Sequence, residues 1–231
     1  MSKTIKILAI IPARGGSKRL PKKNILELEG KPLISYTIEA AKKSIYLSDI
    51  VVSSDDLDIL EVAKSQKVET IHRPKEIAKD TSPTNETIEH VINSNPEYRN
   101  YDFFILLQPT SPLRTSKHID EAVRLLLEKD ANSVISVTKP EHSPLWTGKI
   151  EKDLSLDKFL DNEYLKKRSQ DLPIFYGING AIYICNINEF LKEQSLYLKT
   201  KNYAYIMNRR DSIDIDEEID FILAKELLRK R

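Results

Sequence analysis

The chain has 231 residues, 40% of them hydrophobic and 31% charged, which fits one globular domain with a sizeable core and excludes a disordered chain. Thirty-six Lys and Arg nearly cancel 35 Asp and Glu, leaving a formal charge of +1, which excludes a general nucleic-acid binder. A single cysteine, Cys185, excludes an internal disulfide, and no run approaches the roughly 18 apolar residues of a membrane span, so a cytoplasmic protein is expected.

The first 140 residues alternate short apolar runs with helical patterns. "IKILAII" (5–11) is nearly continuous Ile and Leu, as in a strand covered on both faces. Directly after it, five cations fall between Arg14 and Lys23 in "RGGSKRLPKK". "KPLISYTIEAAKKS" then reads as a helix opening at Pro32. "DIVVSSD" (49–55) is a second strand, "DDLDILEVAKSQ" a helix with acids in its first turn, and "VETIH" (68–72) a third strand. "SPTNETIEHVINS" (82–94) begins with a cap and first-turn pair, Ser82 and Pro83. "YDFFILLQPT" carries the strongest strand, at 102–107, followed by a helix from Ser116 and a strand at 132–138.

This alternation predicts a doubly wound α/β fold with a largely parallel sheet, in which ligands lie beyond the carboxyl ends of the strands. The basic loop, "SSDD", "HRP" and "QPTSPLR" all fall at such ends. From 140 to 178 the rhythm breaks, with Pro140, Pro144, Trp146 and Pro173 and no long helix, and an inserted arm or small subdomain is expected there. Strands return at 180–186 and 203–207, and "DEEIDFILAKELLRKR" closes the chain as an amphipathic helix. The main α/β domain is therefore assigned to 1–139 and 179–231, with 140–178 inserted.

A basic glycine-containing loop after a buried strand suits an anion. Backbone amides near Gly15 and Gly16 approach phosphate oxygens, Arg14 offers a bidentate grip, and Lys18 and Lys23 act as point charges. "GGSK" matches neither the Walker A pattern nor G-x-G-x-x-G. In "SIDIDEEID", Asp214 and Asp216 stand two apart in an extended stretch and face one side, with Ile213 and Ile215 pointing the other way; the pair suits Mg²⁺, and a capping role for Asp216 is the plainer alternative.

"IPARGGSKRLPKKN" resembles the N-terminal signature of the acylneuraminate cytidylyltransferases, the CMP-sialic acid synthetases with their legionaminic and pseudaminic relatives. "RPKEIAKDTSPT" (73–84), "LLQPTSPLRT" (106–115), "NGAIYI" (179–184) and "DSIDIDEEIDF" (211–221) resemble further family blocks in the expected order. The resemblance implies a nucleotide-diphospho-sugar transferase-like fold with a dimerisation arm. It implies CTP as one substrate and a nine-carbon 2-keto sugar acid as the other. Arg14, Lys18 and Lys23 then hold the triphosphate, and Asn24 lies beside the ribose or base. Arg73, Ser82 and Thr84 surround the cytosine, with a plain helix cap as the other reading of Ser82. Gln108 faces the sugar acid. Arg168 is the candidate cation for the sugar's carboxylate, after a one-residue shift of register. Tyr183 packs on the sugar, or is simply the inner face of a strand. Arg14, Lys23, Asp214 and Asp216 are the catalytic set, with Mg²⁺ on the two aspartates. Arg19 and Lys22 are read as solvated, Arg114 as an ion-pairing loop residue and Asp220 as helix surface. A homodimer with exchanged arms is implied, and neither nucleic acid nor membrane is expected as a partner.

Trp146 departs from the lysine of the better-known sialic acid enzymes and tilts the sugar towards legionaminic acid or a related diamino sugar. Two alternatives stand beside this reading. One is a CMP-Kdo-type synthetase, against which "RLPKKN" in place of "RLPGKP" speaks; the other is a non-catalytic nucleotide-sensing module on the same fold.

Overall fold

The computed structural model describes residues 5–159 and 162–231; positions 160 and 161, inside the expected arm, lie outside the described residues. Strand β1 (Ile7–Pro12) is an interior strand of the sheet, buried along nearly its whole length. Its alternating side chains serve two cores: Ile7, Ala9 and Ile11 pack with one set of helices, Leu8 and Ile10 with the other. A one-turn 3-10 helix at Lys23–Ile25 ends the basic loop, and the two-residue strands β2 (Glu27–Leu28) and β3 (Lys31–Pro32) form a small antiparallel pair. Helix α1 (Leu33–Lys42) starts one residue later than expected, because Pro32 keeps an extended backbone and precedes it.

Next come β4 (Asp49–Ser54), α2 (Leu57–Ser65), β5 (Glu69–His72), α3 (Thr84–Ser94), β6 (Phe103–Leu106), α4 (Ser116–Glu128) and β7 (Ser133–Thr138). Asp56 caps α2, accepting from the amides of Asp58 and Ile59. Between β7 and the long strand β8 (Gly177–Asn186), the described residues form only one-turn helices, among them α5 (Asn162–Leu165). Helix α6 (Ile187–Glu193), strand β9 (Asn202–Met207) and helix α7 (Glu218–Arg229) complete the chain.

The seven-stranded sheet has the order β5-β4-β1-β6-β8-β7-β9. It is parallel except for β8, which runs antiparallel to both of its neighbours. Helices α1, α2 and α4 cover one face, while α3 and α6 cover the other. From β1 the chain steps outward to β4 and β5, then returns to lay β6 on the opposite side of β1. That reversal leaves a crevice beyond the carboxyl ends of β1 and β6, where open α/β sheets bind ligands. Cys185 is buried in β8 and its thiol is pushed up to about 12 by burial. Among the described residues no helix is long and apolar enough to cross a membrane.

Candidate active site

A cleft of about 400 Å³ opens at that crevice. It is lined by Arg14, Lys23 and Asn24 from the basic loop and by Arg73, Ser82 and Thr84 from the segment after β5; Gln108 after β6 and Asp214 and Asp216 before α7 complete it. Nine of the twelve residues singled out from the sequence thus share one cavity. Lys18, Arg168 and Tyr183 do not line it.

The basic loop is held by short polar contacts. Asn24 is buried and its Nδ2 donates to the Arg14 carbonyl at 2.9 Å, fixing the loop's start against its end. The Gly15 amide is not free for an anion, because it donates to Asp55 Oδ1 at 3.1 Å. Gly15 itself is required by packing, since a Cβ there would stand 2.5 Å from Asp56 Oδ2. All five cations of the loop have acidic neighbours. Arg14 and Lys18 meet Asp80, Lys22 meets Asp58 at 3.2 Å, and Lys23 meets Asp216 at 3.1 Å. Arg19, read as solvated, lies 3.5 Å from Asp216 with its side chain largely exposed.

On the facing wall Arg73 is buried, its Nη1 donating to Thr87 Oγ1 at 2.7 Å and its Nη2 lying 3.9 Å from Asp55. Burial is the main cause that lowers its pKa. Its Nε is buried and has no hydrogen-bond partner among the described residues. Ser82 does not cap α3. Its hydroxyl accepts from the Lys79 amide at 3.2 Å and donates to the Glu76 carbonyl at 3.3 Å, closing the loop that carries Asp80. Pro83 takes the capping position with no side-chain bond.

Gln108 lies two residues beyond the end of β6, over Gly180. Gly180 has φ +75°, and a Cβ there would sit 2.6 Å from Gln108 Oε1 and 3.5 Å from Asp214 Oδ2. The glycine therefore sets how closely the amide and the carboxylate approach. Beneath them Arg114 is fully buried. It pairs with no acid among the described residues, contrary to the loop ion pair expected. Instead Nη1 donates to the carbonyls of Gln108 (3.1 Å) and Ala181 (2.9 Å), and Nη2 donates to Thr37 Oγ1. Its pKa is lowered to about 9 by burial.

Asp214 and Asp216 are presented on one side of an extended stretch whose Ile215 is completely buried and donates its amide to the Thr110 carbonyl at 2.8 Å. Surrounding protein raises the Asp214 pKa, and the Asp216 charge adds to that, while a hydrogen bond from Thr110 and the Lys23 charge oppose it. Asp216 does not cap α7. Glu217 does, and Asp220, expected on the helix surface, accepts from the Asp216 and Glu217 amides at 2.9 and 2.8 Å. Two hard oxygen donors side by side, one of them destabilised by burial and by the other, are a fitting donor set for a divalent cation such as Mg²⁺. Among the described residues no group of three or more His, Cys, Asp or Glu is placed to hold a metal, so substrate oxygens and water would complete the shell.

Tyr183 lies in the core, paired with Leu106 and Ile135, and burial is the main cause that raises its hydroxyl pKa, with Tyr197 adding to it. Arg168 is exposed in the segment between β7 and β8 and pairs with Asp171 at 2.8 Å. Trp146 Nε1 donates to the Tyr164 carbonyl at 3.3 Å, joining two points of the same segment. Asp80, Thr87 and Thr110 were missed from the sequence; the first stood within the block from Arg73 to Thr84, whose acidic residue has meaning only once Arg14 is beside it.

Comparison with known proteins identifies the family. Residues 8–230 match the family model described as Cytidylyltransferase. The chain belongs to the cytidylyltransferase family. It is 37% identical to a CMP-N,N'-diacetyllegionaminic acid synthase of Legionella pneumophila, over 97% of both chains. It is 40% identical to the N-acylneuraminate cytidylyltransferase of Escherichia coli, over 98% of this chain and 53% of that one. A pseudaminic acid cytidylyltransferase of Campylobacter jejuni is 32% identical over 96% of both. The chain spans about half the length of the N-acylneuraminate cytidylyltransferases it matches in Escherichia coli and Streptococcus agalactiae. Among solved structures, a CMP:2-keto-3-deoxy-manno-octonic acid synthetase complexed with CTP superposes with a TM-score of 0.74 at 15% identity, covering 97% of this chain and 99% of that one, which establishes a shared cytidylyltransferase fold.

Proposed function

We propose that this cytidylyltransferase is an enzyme that joins CTP to a nonulosonic acid, a nine-carbon 2-keto sugar acid of sialic or legionaminic type, with release of pyrophosphate. The observation that carries the reading is the meeting, at one crevice, of the basic loop, the Arg73 wall, Gln108 and the aspartate pair, in a chain whose full-length relatives are named for CMP-legionaminic and pseudaminic acid synthesis. The cytosine lies towards Arg73, Ser82 and Thr84, where a mismatched base would leave the buried Arg73 Nε unpaired. Asn24 shapes the ribose side, and Arg14, Lys18 and Lys23 receive the triphosphate.

The sugar acid enters over Gln108. Its anomeric hydroxyl attacks the α-phosphorus in line, a bond forms from that oxygen to phosphorus as the hydroxyl proton passes to water, and the bond to the bridging oxygen of pyrophosphate breaks. Arg14 and Lys23 stabilise the charge that gathers on the leaving group. Asp214 and Asp216 would hold Mg²⁺, which supplies Lewis-acid polarisation of a phosphoryl oxygen when bound. Asp214, Thr110 and Gly180 set the floor on which the sugar's reacting end rests.

A second copy of the chain covers the exposed apolar strip formed by Ile174, Phe175, Tyr176 and Ile178 at the start of β8. Arg168, which does not line its own chain's cleft, then serves the partner's sugar pocket. The reading places the enzyme in the cytoplasm, consistent with one buried thiol. The test is pyrophosphate release from CTP and Mg²⁺ with N-acetylneuraminic, diacetyllegionaminic, pseudaminic and Kdo acids. Release with a nine-carbon acid and none with UTP or ATP is expected. Release with Kdo alone would reassign the sugar, and CTP binding without turnover on any acid would favour a sensing module. Light scattering of the wild type and of Phe175→Glu tests the dimer.

A further inference from the structure

The carboxylate of Asp80 spans two cations of the basic loop. One oxygen accepts from Arg14 Nη1, and the other lies 2.6 Å from Lys18 Nζ. Two oxygens of one group bridging an Arg and a Lys four residues apart is the arrangement a phosphoryl group would adopt there. Asp80 itself lines the cleft and is about one-third exposed, and among the described residues Arg14 and Lys18 are the partners of its carboxylate. Its loop is independent of the pair, being closed by Ser82 on Lys79 and Glu76. The two cations keep the Asp80 carboxyl below the ordinary carboxylate range, so it is an anion throughout neutral pH.

Resting on the placement of the CTP triphosphate at this loop, we propose that Asp80 is a specificity-determining residue of the pyrophosphate subsite, an internal anion that competes with the β- and γ-phosphates for Arg14 and Lys18. A ligand that reaches the pair must displace the carboxylate, and one that stops at the α-phosphate does not. Asp80 therefore weakens CTP and pyrophosphate by the same factor and leaves CMP untouched. After transfer it returns to the cations and helps expel pyrophosphate, while the nucleotide end stays held by the Arg73 wall. The unliganded protein never presents two bare cations, which also keeps stray phosphate and sulfate off the loop.

The experiment is calorimetric titration of wild type, Asp80→Asn and Asp80→Glu with CTP, inorganic pyrophosphate and CMP, without divalent metal. Asp80→Asn is expected to tighten CTP and pyrophosphate roughly tenfold, with CMP unchanged, and Asp80→Glu to restore the wild-type values. In turnover, Asp80→Asn becomes correspondingly more sensitive to inhibition by added pyrophosphate. Equal affinity of wild type and Asp80→Asn for pyrophosphate, or a weakening, overturns the proposal. So does an equal shift of all three ligands, which marks a merely structural residue. A wild type that binds neither CTP nor pyrophosphate sinks the nucleotide site itself, and this inference with it.

Discussion

Lys23 and Asp216 are 193 residues apart in the chain, yet Lys23 Nζ donates to Asp216 Oδ1 at 3.1 Å and also to the backbone carbonyl of Ile215. The ammonium is mostly buried while the carboxylate is exposed to the cleft. One contact therefore joins the loop assigned to the triphosphate to the pair assigned to the metal.

Opposite effects on binding and turnover follow from that contact. On the proposed reading Asp216→Asn removes a metal donor and the charge paired with Lys23, so kcat/KM is expected to fall by about a hundredfold while metal-free CTP affinity holds or rises. Lys23→Met loses both. Steady-state kinetics with calorimetry separates the two, and equal turnover of Asp216→Asn and wild type would remove Asp216 from the metal site.

Gly180→Ala is expected to reduce turnover without abolishing CTP binding. The left-handed backbone costs a non-glycine residue about 1 kcal/mol, and the added methyl pushes Gln108 out of its place above the floor. The KM for the sugar acid rises several-fold, and that for CTP stays near the wild-type value. A rise confined to CTP would contradict the placement of the sugar over Gln108.

Arg114→Lys is expected to cost about 3 kcal/mol in urea denaturation. The lysine keeps the charge but not the fork that reaches the Gln108 and Ala181 carbonyls and Thr37, so buried acceptors lose their donors. A loss below about 1 kcal/mol would mean that water replaces the guanidinium without difficulty.

His118 gives stability a pH dependence. Its ring nitrogen Nδ1 accepts from the Thr115 amide at 3.2 Å at the start of α4, with Asp211 3.8 Å from Nε2 and Glu121, Arg231 and Arg114 nearby. Burial lowers its pKa below the usual 6.5, opposed by Asp211 and Glu121 and aided by Arg231 and Arg114. The folded pKa lies under the unfolded one, so this contribution is complete above 6.5 and is lost as pH falls below it. His118→Gln keeps an acceptor for the cap and removes the titration. Thermal unfolding from pH 5 to 8 should show a shallower acid decline in the variant, and parallel curves would assign the decline to other groups such as His90.

The sequence by itself determined the strands and the end of the sheet at which they deliver chemistry. Continuous apolar runs such as 5–11 and 102–107 have one stable place, a strand buried on both faces, and the residues following such strands emerge at one edge. It also determined the face of Asp214 and Asp216, because an extended stretch with buried Ile215 between them leaves no other. What only the tertiary structure decided is which charges meet. Asp80 on Arg14, Asp55 on the Gly15 amide and Asp216 on Lys23 are contacts between loops whose spacing along the chain carries no signal. Arg114 reads in the sequence as an ion-pairing loop residue, whereas it is buried and the carbonyls of Gln108 and Ala181 meet it in place of an acid. Local periodicity follows from the geometry of single elements, whereas the pairing of isolated charges depends on where the sheet brings distant loop ends together.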